Sequence, residues 1–280
     1  MSHLPAQPTH ESVLMLIRDL VHERTGIFFD NASLQLMADK LDGLVATQAS
    51  AAYLDFYYRL KGEPETSPEW REVINLFSVQ ETYFWREIDQ IRYFVDRIVP
   101  DWFAATSAPL TVWSAACASG EEPYSIAMAL DAAGWGHHPI RIHASDASDK
   151  ALQKAASALY RERAFRLLPE AFRRQYFEEQ PKGWKLNSQI AGRVTFQWMN
   201  LVTEDNFDRI PDPQVIFCRN VFIYFSPISI AKAVRAFARR MSVGGYLFVG
   251  ATESLLRLTD RFELRDLGTC FAYKRTPSGS

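Results

Sequence analysis

The feature that most constrains the fold is an alternation of short, β-branched apolar segments with amphipathic helical patterns between residues 110 and 251. The predicted strands are Leu110–Ala115, Ile140–Asp146, Val194–Met199, Val215–Cys218 and Tyr246–Ala251, and the predicted helices are Glu121–Ala133, Ser148–Ala158 and Pro227–Met241. Strands that alternate with helices pair in parallel through crossover connections. The sequence therefore predicts an α/β fold built on a mostly parallel sheet.

The regions around this core follow other patterns. Phe262–Leu267 and Cys270–Lys274 flank a Gly-Thr turn and predict an antiparallel C-terminal hairpin. Residues 10–70 repeat apolar side chains at helical spacing and predict a helical N-terminal domain, followed by a helical connector at 71–102. Pro181-Lys-Gly-Trp and Asn187-Ser are typical of hairpin turns and predict a small antiparallel β subdomain at about 176–197. This subdomain would be inserted into an α/β domain at 103–275, and residues 276–280 are interpreted as a tail.

Composition narrows the possible partners and compartment. A net charge of −2 and a pI of about 6.3 argue against binding nucleic acid through its phosphates. The three cysteines, Cys117, Cys218 and Cys270, are widely spaced and read as reduced thiols, and the spacing of metal sites is absent. No segment has the apolar length of a signal peptide or a membrane span. We expect a cytoplasmic protein without metal, nucleic-acid binding or direct membrane insertion.

A cofactor site is predicted where the first strand ends. The loop before Glu121 consists almost entirely of Ala, Ser, Cys and Gly, so that the backbone can approach a ligand at the carboxyl end of the strand. Only Gly120 of a dinucleotide fingerprint is present, and Glu121 and Glu122 would repel a diphosphate but attract a cation. Asp146 ends the second strand, where an acid can accept both ribose hydroxyls. These residues favour a nucleoside site, although acids in a first helical turn or at a helix cap can also be purely structural.

Several motifs in order carry a resemblance to a known family. They are Thr82-Tyr-Phe-Trp-Arg-Glu, Trp113-Ser-Ala-Ala-Cys-Ala-Ser-Gly-Glu-Glu-Pro-Tyr-Ser-Ile-Ala, Ala144-Ser-Asp, Ile216-Phe-Cys-Arg-Asn-Val-Phe-Ile-Tyr-Phe and Gly244-Gly-Tyr-Leu-Phe-Val-Gly-Ala-Thr-Glu-Ser. Together, across residues 12–274, they resemble the CheR chemoreceptor methyltransferases. The resemblance implies a class I methyltransferase-like domain with a helical N-terminal domain and a β insert. It also implies that S-adenosylmethionine is converted to S-adenosylhomocysteine while glutamate side chains of chemoreceptors become methyl esters.

The resemblance also implies roles for individual residues. Glu122 would contact the methionine ammonium group of the cofactor, and Asp146 the ribose hydroxyls. The other implied cofactor contacts are Asn200 and Leu201 beside the adenine, and Arg219, Asn220, Gln80, Thr82 and Arg86 along the pocket. Position 80 departs from the family, which has asparagine there. For catalysis, Arg86 would clamp the substrate carboxylate and Tyr224 would donate a hydrogen bond to it; a salt-bridged arginine and a packing tyrosine are the structural alternatives.

Other functions remain open at this stage. They are methylation of a different target and a non-catalytic S-adenosylmethionine sensor, whereas an NAD-dependent enzyme is disfavoured because the glycine fingerprint is missing. The expected partner is the cytoplasmic methylation region of chemoreceptors. Some family members also bind a receptor's C-terminal pentapeptide through a glycine-rich hairpin of the β subdomain. Here that stretch has only Gly183, Pro181 removes a backbone donor, and Ser33–Gly43 lacks an arginine-rich face. We therefore expect an enzyme that works without this tether.

Overall fold

The computed structural model describes residues 10–45 and 50–277, and these form two compact units. The first unit contains the residues up to Ser78 together with Tyr224–Ser226. The second contains Val79–Ile223 and the residues from Pro227 onward. The first nine residues and the last three, which include most of the predicted tail, lie outside the described residues.

Within the described residues, the first unit contains the helices α1 (His10–Thr25), α2 (Leu34–Leu41), α3 (Ser50–Gly62) and α4 (Pro68–Phe77). The apolar side chains of α1 that recur at helical spacing are buried: Val13, Leu14, Ile17, Leu20 and Val21. Gly26 has a φ of 80°, a left-handed conformation that ends the helix. Trp70 is fully buried, and its indole Nε1 donates to the carbonyl of Leu60 at 2.9 Å.

The second unit is built on a large sheet and a small one. Its described strands are β1 (Leu110–Ala115), β2 (Ile140–Asp146), β3 (Leu159–Tyr160), β4 (Phe177–Gln180), β5 (Gly183–Leu186), β6 (Val194–Trp198), β7 (Val215–Phe217), β8 (Tyr246–Phe248), β9 (Phe262–Asp266) and β10 (Phe271–Arg275). The large sheet has the order β6-β2-β1-β7-β8-β10-β9, parallel from β6 to β8 and antiparallel at β10 and β9. The predicted α/β class, with its antiparallel C-terminal hairpin, is confirmed.

Helices pack against this sheet and around it. They are α5 (Ile88–Tyr93), α6 (Val99–Ala105), α7 (Glu121–Ala132), α8 (Asp149–Ser157), α9 (Glu170–Tyr176), α10 (Ser188–Ala191) and α11 (Pro227–Arg240), and the π-helical turn Phe94–Ile98 joins α5 to α6. Every residue of β1 is buried, as expected for a central parallel strand. Among the described residues, no helix is both long enough and apolar enough to cross a bilayer.

The small sheet has the order β3-β5-β4, with antiparallel pairing throughout. The turn between β4 and β5 contains Pro181, and Gly183 begins β5 with a φ of 144°. A Cβ on Gly183 would lie 2.4 Å from the carbonyl oxygen of Tyr160, so only glycine allows this close pairing. The predicted insert range, 176–197, runs into β6, which pairs with β2 in the large sheet.

The predicted helical connector at 71–102 is interrupted, and this part of the prediction is wrong. Residues 78–87 contain no helix: Ser78 caps α4 in an extended conformation, and α5 begins only at Ile88. Trp85 and Glu87 both have positive φ, at 66° and 48°. This conformation is costly for residues other than glycine and is held by tertiary contacts, which helical periodicity does not report.

Candidate active site

Four adjacent parallel strands end at one edge of the large sheet. The strands are β6, β2, β1 and β7, and each is followed by residues predicted to bind a cofactor. Asn200 and Leu201 follow β6, Asp146 ends β2, and Arg219 and Asn220 follow β7. Open α/β sheets bind ligands at the carboxyl ends of their strands, and the order places these residues side by side.

The loop from β1 to α7 lies close to α8 and β3. Ala116, Ala118 and Gly120 have positive φ values of 59°, 46° and 91°. A Cβ on Gly120 would lie 2.8 Å from the Cβ of Ala155 and 3.2 Å from the hydroxyl of Tyr160. The loop is therefore made of small residues in a strained and closely packed backbone.

Asp146 is buried at the end of β2, with 9% of its surface exposed. Its two carboxylate oxygens accept the backbone N–H groups of Ala118 and Ser148, each at 2.8 Å. Burial raises the pKa of the Asp146 carboxyl, although these backbone donors oppose the shift. The carboxylate thus links the β1 loop to the turn after β2, and each oxygen keeps a further lone pair for a ligand hydroxyl.

An ion pair joins the first turn of α7 to the residues that follow β7. The Nε of Arg219 donates to Glu122 Oε2 at 2.6 Å, and the Ser114 hydroxyl donates to Glu122 Oε1 at 2.6 Å. The Arg219 side chain is 2% exposed, and it also reaches the carbonyl of Glu87 and the side chain of Gln90. The negative charge of Glu122 is therefore balanced by Arg219.

The other acid of that first turn is also engaged. Glu121 is buried, accepts two contacts from the Ser119 hydroxyl and lies 3.9 Å from the ammonium of Lys154. Burial raises the pKa of the Glu121 carboxyl. Glu121 and Glu122 thus each have a basic partner, which reduces the attraction for a cationic ligand that the sequence predicts.

The segment 78–87 brings one predicted residue to the end of β2. Gln80 donates from Nε2 to the hydroxyl of Ser148 at 3.0 Å, directly beside Asp146. Thr82 is half-buried in the same segment. Arg86 instead turns along its own segment, where its guanidinium donates to the Glu81 carbonyl at 2.9 Å and lies 5.5 Å from the ring centre of Tyr83.

The two residues after β6 are buried. Asn200 is 2% exposed, and its side-chain oxygen accepts the backbone N–H of Val202 at 3.2 Å. Leu201 is 5% exposed. The N–H of Met199 donates to the Asp146 carbonyl at 3.0 Å, so the chain after β6 runs close to the end of β2.

The residues after β7 separate into two groups. Asn220 has a φ of 59° and donates from Nδ2 to Glu87 at 3.2 Å within the second unit. Tyr224 is grouped with the first unit. There its carbonyl accepts the N–H of Phe28 at 2.8 Å, and the next residue forms an antiparallel bridge with Ile27.

The polar groups at this sheet edge fit a nucleoside that carries a short charged chain. Asp146 supplies paired acceptor oxygens suited to vicinal hydroxyls, and the small-residue loop leaves room for a ligand to approach the backbone. The Glu122–Arg219 pair offers a partner of either sign to an amino-acid group, which has both an ammonium and a carboxylate. Within the described residues, no cluster of three or more metal-ligating side chains occurs.

The strand order and the site at this sheet edge define a class I methyltransferase-like fold. The family model described as "CheR methyltransferase, SAM binding domain" matches residues 80–270. The chain is 32% identical over 270 residues to Chemotaxis protein methyltransferase 2 of Vibrio cholerae serotype O1, covering 94% of this chain and 92% of that protein.

Two further relatives agree. Identity is 32% over 257 residues with the Chemotaxis protein methyltransferase of Escherichia coli strain K12, covering 89% and 86% of the two chains. It is 35% over 207 residues with that of Vibrio parahaemolyticus serotype O3:K6, covering 72% and 74%. The chain therefore belongs to the CheR methyltransferase family, and its cofactor is S-adenosylmethionine.

Some polar residues at this edge were not predicted from the sequence. Ser114 and Gln90 both contact the Glu122–Arg219 pair, and the carbonyl and carboxylate of Glu87 contact Arg219 and Asn220. Ser114 could have been found, because a polar residue inside a buried strand calls for a polar partner. Gln90 and Glu87 gave no comparable signal, since Gln90 lies within the short helix α5 and Glu87 directly precedes it.

Proposed function

We propose that this enzyme transfers a methyl group from S-adenosylmethionine to glutamate side-chain carboxylates of bacterial chemoreceptors and so forms methyl esters. The observation that carries the proposal is the meeting of Asp146 and the Glu122–Arg219 pair at one sheet edge, in a chain of the CheR family. Chemotaxis protein methyltransferases are also the relatives it resembles over nearly its whole length.

The proposed chemistry needs positioning more than proton transfer. When bound, S-adenosylmethionine supplies an electrophilic methyl group on a sulfonium sulfur. A glutamate carboxylate has a pKa of about 4.3 and is already ionised at neutral pH, so the protein need not provide a general base. Its residues have to strip water from the carboxylate and hold it in line with the methyl group.

The residue roles form part of the proposal. Asp146 accepts the ribose hydroxyls, Glu122 holds the ammonium group, and Asn200 with Leu201 flanks the adenine. Arg219, Asn220, Gln80 and Thr82 line the remainder of the pocket. Arg86 orients the substrate carboxylate and Tyr224 donates a hydrogen bond to it. To do so Arg86 has to leave its contact with the Glu81 carbonyl, which is exposed to solvent.

We further propose that the enzyme is cytoplasmic and recognises the receptor's methylation region without a C-terminal pentapeptide tether. An added peptide strand would pair with β4, which is an edge of the small sheet. Glu178 and Glu179 on β4 are exposed and would repel the terminal carboxylate of such a peptide. The net charge of −2 supports the absence of nucleic acid from the partners.

The test of the proposed function is methyl transfer from radiolabelled S-adenosylmethionine to receptor cytoplasmic fragments. Label that alkali releases as methanol identifies a methyl ester. The matched control is a fragment whose methylation-site glutamates are replaced by alanine, which should take up no label. Alkali-stable label, or label that remains on the alanine fragment, would contradict the proposal.

A further inference from the structure

The side chain of Glu253 folds back over the turn that follows β8. Its Oε2 accepts the backbone N–H groups of Gly250 at 2.6 Å and Asn220 at 2.8 Å. Its Oε1 accepts those of Phe222 at 2.7 Å and Ile223 at 3.3 Å. One carboxylate therefore ties the loop after β7 to the turn after β8.

This carboxylate lies just beyond the paired part of the sheet. The last register pair of the two strands is Phe217 with Phe248, and the N–H of Cys218 still donates to the Phe248 carbonyl at 2.8 Å. The N–H groups of Asn220 and Gly250 lie beyond this pairing, and both donate to Glu253. Burial raises the pKa of the Glu253 carboxyl, and the four backbone donors oppose that shift. Hydrogen bonds to an ionised acceptor are about twice as strong as neutral ones, so Glu253 fixes this loop more firmly than a neutral side chain can.

The loop it fixes is strained and closely packed at Asn220. That residue has a φ of 59°, and its side-chain nitrogen donates to the carboxylate of Glu87. A Cβ on Gly250 would lie 2.5 Å from Asn220 Nδ2 and 2.9 Å from Glu253 Oε2. Because Gly250 has no side chain, Asn220 and the carboxylate of Glu253 can both lie against it.

We propose that Glu253 is a positioning residue for cofactor binding. It holds the backbone of residues 220–223 and thereby sets the direction of the Asn220 side chain, without touching the cofactor itself. The inference rests on the proposed function, which assigns Asn220 to the cofactor pocket. It adds a residue on the turn after β8 to a site built on the ends of β6, β2, β1 and β7 and on the segment 78–87.

The first test compares Glu253→Gln with Glu263→Gln by calorimetric titration with S-adenosylhomocysteine. Glutamine keeps one acceptor oxygen but turns an amide NH2 toward two N–H donors, so Glu253→Gln should bind about tenfold more weakly or worse. Glu263 is exposed on β9 and paired with Arg265, so its variant loses the same charge and should bind normally. Equal affinities for Glu253→Gln and the wild type would overturn the inference.

A double-mutant cycle separates positioning from general stability. If Glu253 acts through Asn220, the double variant of Glu253→Gln and Asn220→Ala should bind hardly more weakly than Asn220→Ala alone. Additive losses would show that Glu253 acts elsewhere and would also overturn the inference. Because the readout is product binding, it stands even if receptor methylation, and with it the proposed substrate, is disproved.

A second variant covers the case in which Glu253→Gln does not fold. Gly250→Ala keeps the carboxylate but places a methyl group against Asn220, and its backbone is outside the left-handed region. It should weaken S-adenosylhomocysteine binding, whereas Gly62→Ala, which adds a methyl group into open space, should not. Wild-type affinity in Gly250→Ala would count against the inference.

Discussion

Carboxylates organise the backbone at the carboxyl edge of the sheet. Asp146 accepts N–H groups from Ala118 and Ser148, and Glu253 accepts four more from the neighbouring loops. A desolvated carboxylate is costly unless it is hydrogen-bonded, and backbone donors meet that need without adding bulk. Substituting either acid therefore alters the local backbone as well as any contact with a ligand.

We predict that Asp146→Ala weakens S-adenosylhomocysteine binding by about 1.5–3 kcal/mol, the usual worth of hydrogen bonds to a charged group. Calorimetric titration measures the loss. Asp266→Ala is the matched control, because Asp266 also accepts a backbone N–H, from Gly268, but lies on the exposed hairpin. Unchanged affinity in a folded Asp146→Ala protein would remove Asp146 from the site.

Tyr224→Phe should separate catalysis from cofactor binding. Loss of one hydrogen bond to the reacting carboxylate should lower kcat about tenfold, while S-adenosylhomocysteine affinity stays near the wild-type value. Tyr58→Phe, which removes an exposed hydroxyl on α3, should change neither quantity. If Tyr224→Phe turns over at the wild-type rate, Tyr224 is a packing residue.

At the scale of elements, the sequence predicted the regular parts of the fold best. Leu110–Ala115 and Ile140–Asp146 have their predicted bounds, and each begins directly after a proline, which marks the start of the segment in the sequence. Tyr246–Ala251 was predicted too long, since β8 ends at Phe248 where the chain turns toward Glu253. Apolar periodicity indicates which face of a strand or helix is buried, but it does not indicate where a carboxylate accepts hydrogen bonds from backbone N–H groups.

The site was predictable to the same extent. Asp146 and the Glu122 turn could be found because strand ends and first helical turns have recognisable sequences. The positive φ of Trp85 and the role of Glu253 could not, because both depend on contacts between segments far apart in the chain. The pairing of Glu122 with Arg219 likewise joins residues 97 positions apart.

The turn from β1 to α7 gives a prediction about stability. Gly120→Ala and Gly134→Ala both put a Cβ on a residue with positive φ, at a cost of roughly 1–2 kcal/mol each. Only Gly120→Ala also forces a Cβ within 2.8 Å of Ala155, and overpacking adds about 1–3 kcal/mol. Denaturant unfolding should therefore show a larger loss of unfolding free energy for Gly120→Ala than for Gly134→Ala. Equal losses would mean that the loop from β1 to α7 shifts to accommodate the added methyl group at no cost.

At the scale of the whole molecule, charge is distributed unevenly. Residues 1–70 contain ten acidic and five basic side chains, so the net charge of −2 conceals an acidic N-terminal region. The helix α2 carries one basic residue, Lys40, and one acidic residue, Asp39, and Asp42 follows its C-terminal end. Like charges slow association, so we expect any receptor surface that binds this acidic region to be neutral or basic.

The acidic side chains of β4 predict that the β subdomain does not bind a peptide tether. A receptor's C-terminal pentapeptide added beside β4 would bring its terminal carboxylate close to Glu178 and Glu179, next to a turn in which Pro181 supplies no N–H. Calorimetric titration with the pentapeptide should therefore give no binding heat. Receptor fragments with and without their last five residues should be methylated at the same rate. A micromolar Kd, about −8 kcal/mol, would contradict tether-free recognition, and so would slower methylation of the shortened fragment. The double variant Glu178→Gln with Glu179→Gln supplies the matched control, because weak binding that appears only when these charges are removed identifies repulsion as the cause.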